Sequence, residues 1–108
     1  MMAIRALLRV PASVRAGEVF EVRVLLQHPM ETGFRPGADG RVITRNIIQR
    51  LEARFEGEVV FAAELFPAIA ANPYVAFPLR ATRSGTLTLR IEGDQGLAQR
   101  ETAAITVA

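Results

Sequence analysis

Apolar and polar residues alternate with a period of two through most of this chain, the spacing of strands that turn one face to a core and the other to water. The clearest run is Glu18–His28. Phe20, Val22, Val24 and Leu26 fall on one face, and Glu21, Arg23 and Gln27 on the other. By the same parity His28 closes the apolar face. An earlier run, Ile4–Val10, sets Ile4, Ala6, Leu8 and Val10 against Arg5, Leu7 and Arg9; Pro11 ends it and Ala16-Gly17 supplies a turn. Ile47–Phe55 reads in two ways, since Ile47, Leu51 and Phe55 would share a helical face while Leu51, Ala53 and Phe55 alternate against Glu52 and Arg54. Strand is preferred, because Glu56-Gly57 follows at once and Val59, Phe61, Ala63 and Leu65 then alternate against Glu58 and Glu64. Two alternating runs around a short Gly-bearing loop make a hairpin.

Val75, Phe77, Leu79 and Ala81 form the next inward face. Pro78 lacks an N–H and confines that strand to an edge or a bulge. Ser84-Gly85 turns into Leu87, Leu89 and Ile91 opposite Thr86, Thr88 and Arg90, and Asp94–Gly96 turns into a last strand ending Ala103, Ile105, Val107. About seven short strands with no convincing helix must bury their apolar faces against a second sheet. The expectation is one all-β domain over residues 1–108, an antiparallel β-sandwich of immunoglobulin-like size. Two connections are longer than turns: Pro29–Asn46, long for so small a domain and therefore flagged as functional or mobile, and Phe66–Pro73 between two prolines.

Composition narrows the chemistry. Among 108 residues, half apolar and 22% charged, no apolar run approaches the roughly 20 residues needed to cross a bilayer. Arg5 and Arg9 interrupt Ala3–Val10 before the apolar core of a signal peptide could form, so no export signal is expected here. The pI of 10.4 suggests a nucleic-acid binder, yet 13 bases against 11 acids leave a net charge of only +2; the pI is high because every base is arginine, so few groups titrate between neutrality and the arginine pKa. The arginines are spread along the chain near acids, as with Arg23 and Glu21 or Arg50 and Arg54 around Glu52. A backbone-tracking surface needs a local excess, so no nucleic-acid partner is expected. The absence of cysteine excludes disulfides, thiolate metal sites, Fe–S clusters and cysteine nucleophiles. The absence of lysine excludes Schiff-base chemistry.

What remains for catalysis is thin. His28, with Glu31 three residues on, is a candidate metal ligand or general base. Pro29 disfavours the helix that would put both on one face, and there is no second histidine to complete a site. The alternative is a strand-end histidine that shapes the following turn. A triad would have to join Ser13 or Ser84 to His28 and Asp39 or Asp94, and neither serine sits in a nucleophile-elbow context. Glu56 and Glu58 flank a hairpin turn. Gly33, Gly37 and Gly40 lack the spacing of a phosphate loop.

Two segments stand out from ordinary strand and turn text: His28-Pro29-Met30-Glu31-Thr32-Gly33 and Pro67-Ala68-Ile69-Ala70-Ala71-Asn72-Pro73-Tyr74. With Arg5–Pro11, Gly17–Glu18, Asn46–Ile48 and Ser84-Gly85-Thr86-Leu87-Thr88, they resemble the SoxZ family over nearly the whole chain. SoxZ is the small non-catalytic subunit of the sulfur-carrier heterodimer of bacterial thiosulfate oxidation. The resemblance implies an immunoglobulin-like fold, no cofactor, and a SoxY-like partner whose flexible C-terminal arm bears the cysteine that holds the sulfur. It also implies transient contacts with other Sox enzymes, and a periplasmic location reached by co-export with the partner. The sequence departs from the family in the strand reading Leu51-Glu52-Ala53-Arg54, where relatives often carry a cysteine, and in the loop Arg35–Arg41.

A docking role fits a chain with no thiol of its own. Phe34 and Tyr74 are the expected aromatic contacts, helped by Met30 and by Arg45 as a bidentate donor, with His28, Glu31 and Asn72 completing the candidate partner-binding set. In the opposing reading Phe34 and Tyr74 plug the ends of the core, while Pro29, Glu31, Thr32 and Gly33 merely set the loop. Two other functions stay open: a generic immunoglobulin-like recognition module using a sheet edge, and a small hydrolase built on His28.

Overall fold

The structure is a computed structural model that describes residues 3–108. Seven strands follow one another: β1 (Ala6–Arg9), β2 (Val19–Leu26), β3 (Ile48–Phe55), β4 (Glu58–Glu64), β5 (Tyr74–Arg80), β6 (Gly85–Gly93) and β7 (Ala98–Ile105). They form two antiparallel sheets, one of three strands in the order β1-β2-β5 and one of four in the order β4-β3-β6-β7. The fold is the expected all-β sandwich. It departs from the antibody constant arrangement, in which the fourth strand joins the sheet of the first two; here β4 stays with β3.

Period-two patterning becomes core directly. Phe20, Val22, Val24 and Leu26 of β2 face Leu51 and Ala53 of β3 and Leu87, Leu89 and Ile91 of β6 in one buried cluster. In register, β2 sets Phe20 beside Leu79 and Val22 beside Phe77, while β3 sets Leu51 beside Ile91 and Ala53 beside Leu89. At the β4–β5 side the cluster is closed by Phe61 and Phe77, stacked with ring centres 4.4 Å apart. At the β1–β7 side Gln99 accepts the Ile4 N–H at 2.9 Å and donates to the Ile4 carbonyl at 2.8 Å, and further along a parallel Val14–Val107 bridge joins the same two segments of chain. Pro78 lies on β5, an edge strand, where no ladder bond is lost.

The Ile47–Phe55 ambiguity resolves as strand, because pairing with β4 on one side and β6 on the other satisfies the backbone. One expectation fails there. Val59 does not point inward but is 52% exposed, and Val60 packs against the core in its place. The cause is a bulge: Ala53 pairs with Phe61 while Arg54 pairs with Val59, so the extra residue shifts the parity of β4 at its start.

The long connection from Pro29 to Asn46 is also not a loose loop. It is an irregular hairpin arm held by paired Glu31 and Asn46, an Ile43-to-Arg35 backbone bond of 2.8 Å, a Pro36–Val42 bridge and a Gly40-to-Gly37 turn at the tip. The molecule is accordingly long, 57 × 21 × 19 Å.

Leu89 sits at the centre of this packing and is 1% exposed. Leu89→Ala is expected to cost about 2–5 kcal/mol of stability, read as a lower urea midpoint with an unchanged slope.

Candidate functional site

Where β2 leaves its sheet, the alternation continues past the last paired residue, so His28 still points inward, and Met30 turns inward beyond it. Both are buried, at 4% exposure each. Asn72 fixes the chain at this point. Its side-chain Oδ1 accepts the His28 N–H at 3.0 Å and its own N–H donates to the His28 carbonyl at 2.8 Å. Asn72 has φ of 53°, the left-handed region that asparagine tolerates better than most residues, and this turns both groups toward His28. The two distinctive segments of the sequence are thus bonded to each other.

The His28 ring then organises its own loop. Its Nδ1 accepts the Met30 N–H at 3.0 Å, which requires the neutral tautomer with its proton on Nε2. Met30, at φ 51°, turns its thioether inward, and the sulfur accepts the Ile48 N–H at 3.3 Å. Glu31 and Asn46 exchange backbone bonds of 2.8 and 2.9 Å. Gly33 is required as the arm departs, at φ 86°, since a Cβ there would lie 3.0 Å from the Arg45 Cβ. The Glu31 carboxylate takes two bonds from Arg35, at 3.0 and 2.7 Å.

Asp94, in the β6–β7 turn, anchors the other wall. Oδ1 accepts from Arg45 Nη2 at 2.8 Å and from Gln49 Nε2 at 3.0 Å, while Oδ2 accepts the Ile47 N–H at 3.1 Å. Between these groups lies a cleft of about 230 Å³ lined by Ile4, His28, Pro29, Asn46, Asp94, Gln95 and Leu97. Burial holds the His28 pKa below its usual 6.5, against the opposing pull of the Asn46 side chain and the Asp94 charge. Partial burial pushes the Asp94 pKa up, but Arg45, the Ile47 N–H and the His28 charge together outweigh it and the net shift is downward. The Arg35 hydrogen bonds lower the Glu31 pKa.

Of the expected contacts, Phe34 is 82% exposed and Tyr74 58% exposed, so neither plugs the core. His28 and Met30 must be corrected as surface contacts, because burial spends both side chains on internal backbone bonds. Asn72 and Glu31 likewise hold the loops together, and Arg45 engages Asp94 through one nitrogen rather than as a fork.

A His28-based triad is not assembled. The antiparallel register puts Ser13 and Ser84 at the end of the sandwich opposite His28, where Ser84 Oγ accepts the Val107 N–H at 2.8 Å. Glu56 ties the β3–β4 turn to the start of β6, its carboxylate accepting the Thr86 N–H at 2.8 Å. Among the described residues no group of three or more His, Cys, Asp or Glu side chains could hold a metal ion. Asp94 was legible as a turn residue and as a candidate triad acid but not as this anchor, since its partners lie 45 to 49 positions away and leave no local signal.

Two outcomes test this description. His28 has a folded pKa below its unfolded value, so protons favour the unfolded chain. Stability is full above 6.5 and declines as pH falls below it; His28→Gln flattens that part of a pH series of unfolding midpoints. Asn72→Ala leaves the His28 N–H without its acceptor and is expected to cost about 1–3 kcal/mol. Asn72→Gly, which accepts the positive φ, costs less in the same denaturation experiment.

Comparison with known proteins places the geometry in context. The superoxide reductase (neelaredoxin) of Ignicoccus hospitalis superposes with a TM-score of 0.73 at 23% identity, covering 97% of this chain and 82% of that one. A Thermotoga maritima protein proposed to be a superoxide reductase gives a TM-score of 0.68 at 17% identity, with 95% and 85% of the two chains covered. The sulfur carrier protein SoxY from Chlorobium limicola f thiosulfatophilum gives 0.67 at 14% identity, with 95% and 78% covered. At these identities the likeness is one of fold. No curated protein matches the sequence. The family Sulphur oxidation protein SoxZ matches residues 8–104, through both sheets and every residue of the clamp around His28. The chain therefore belongs to the SoxZ family of sulphur oxidation proteins.

Proposed function

We propose that this SoxZ-family chain acts as the non-catalytic half of a heterodimeric sulfur carrier, pairing with a SoxY-like subunit whose cysteine-bearing arm holds the sulfur covalently. The observation that carries the reading is the family match across residues 8–104 of a chain with no cysteine at all. A covalently carried sulfur needs a thiolate, which this chain cannot offer and a partner must. The likeness to a structure described as a sulfur carrier protein adds that the two halves can share one sandwich fold.

The arm from Glu31 to Asn46 extends beyond the sandwich and presents Phe34 and Val42, 82% and 60% exposed, a shape suited to transient contact with enzymes that act on the loaded thiol. In this reading the pair works in the periplasm. Among the described residues no helix is long and apolar enough to cross a membrane. Strand addition, the alternative mode, meets obstacles at two edges: Pro78 interrupts β5, and Gln99 ties the chain ahead of β1 to β7.

The test is co-expression with the SoxY-like subunit of the same organism, followed by native and denaturing intact-mass measurement after exposure to thiosulfate and the Sox enzymes. A stable pair with added sulfur on the partner alone is expected. Turnover of thiosulfate by the isolated chain, sulfur bound covalently to it, or its recovery as a monomer that ignores the partner would overturn the reading.

A further inference from the structure

The outer faces of the two sheets differ in kind. On the four-stranded sheet the outer face is polar and much of its charge is paired: Glu52 receives Arg54 at 2.7 Å and Arg50 at 3.1 Å, Arg50 also reaches Glu64 at 4.0 Å, and the register sets Arg90 between Glu52 on β3 and Arg100 on β7. Thr88, Arg90, Glu92, Arg100 and Thr102 continue that polar surface, which is well suited to water.

The three-stranded sheet is built otherwise. Its register sets Leu7 beside Leu25 and Leu25 beside Tyr74, so an apolar row crosses all three strands on the solvent side. Leu25 is 40% exposed and Tyr74 58%. The row borders a shallow groove of about 260 Å³ that Arg9 and Arg23 complete. Val19, Ala76 and Pro78 extend the apolar surface along β2 and β5. Beside the row, Arg9 and Arg23 stand directly opposite each other, a like-charge pair that destabilises a sheet in isolation. Arg23 has Glu21 at 2.8 Å; among the described residues no carboxylate reaches Arg9 or Arg80 within ion-pair distance.

Resting on the function proposed above, we infer that this outer face, centred on Leu7, Leu25 and Tyr74, is the seat of the cysteine-armed subunit, whose apolar side chains cover the row while its carboxylates meet Arg9 and Arg23. Charge decides the occupant. A second copy related by a two-fold axis would bring the same arginines against each other, whereas an acidic rim on a different chain resolves the repulsion. Such a rim steers association and fixes register, and the buried aliphatic and aromatic centre supplies most of the affinity.

The experiment measures binding of the purified SoxY-like subunit to this chain by calorimetry, with variants and with chemical modification. Leu25→Ser and Arg9→Glu alter exposed side chains and are expected to weaken binding about tenfold or more each. Arg100→Glu on the other sheet leaves it unchanged. Tyr74 is the sole tyrosine, so nitration followed by intact mass reads this face alone; it is expected to react in the free chain and to be protected in the pair. This arm uses the unaltered chain and decides the matter even if a variant fails to fold. Wild-type affinity in both variants, or equal nitration of Tyr74 free and paired, overturns the face while leaving the subunit reading intact. Self-association of the free chain with Tyr74 protected assigns the face to a second copy and overturns it too. Failure of the unaltered chains to pair removes the subunit reading, and this inference with it.

Discussion

Asn72 holds both backbone polar groups of His28, and much of the functional end of the molecule depends on that clamp. It does the work of a ladder rung where the two strands have ceased to pair. Held there, β2 keeps its alternation as far as His28, two residues beyond its last rung, and Met30 then turns its thioether into the core through a left-handed backbone conformation. Two residues after Asn72 the chain is returned to the sheet as Tyr74, in register with Leu25. The arm departs from a base fixed in the same way, with Met30 sulfur and the Glu31–Asn46 pair tying it to the start of β3. A short asparagine side chain in an uncommon backbone conformation thus sets what is buried, what protrudes and where the exposed aromatic lies.

Much of the fold was legible because one periodicity governs it. β2 and β6 alternate without interruption, and their inward residues are those found at or near zero exposure. Pro78 announced an edge strand because a missing N–H is tolerated only there. The failures have physical causes as specific as the successes. Val59 was misplaced because a bulge reverses parity and leaves no mark in composition. The arm looked like loop because its bridges are few and its residues polar. His28 and Met30 drew attention as unusual residues, and they are unusual because they solve an internal bonding problem. Asp94 joins segments far apart in sequence, and only the folded chain brings them within reach.

Leu25 illustrates a subtler limit. In β2 it occupies a position where water would favour a polar residue, yet beside four inward apolar residues it reads as background. Leu7 is likewise lost in an apolar opening run. Only the pairing of β1, β2 and β5 shows that these two leucines and Tyr74 stand in one line on a surface. The contrast with the polar outer face of the other sheet gives that line its meaning, since both faces are built from one chain under the same solvent.

The amide of Gln99 carries a consequence for how the molecule comes apart. By bonding both polar groups of Ile4, it welds the opening of the chain to β7, so fraying at one terminus is resisted by the other. Hydrolysis of that amide to a carboxylate during ageing would set an acceptor against the Ile4 carbonyl and prise the seam open. The bared edge of β1 would then offer a template for strand-to-strand aggregation, a hazard the intact seal holds in check.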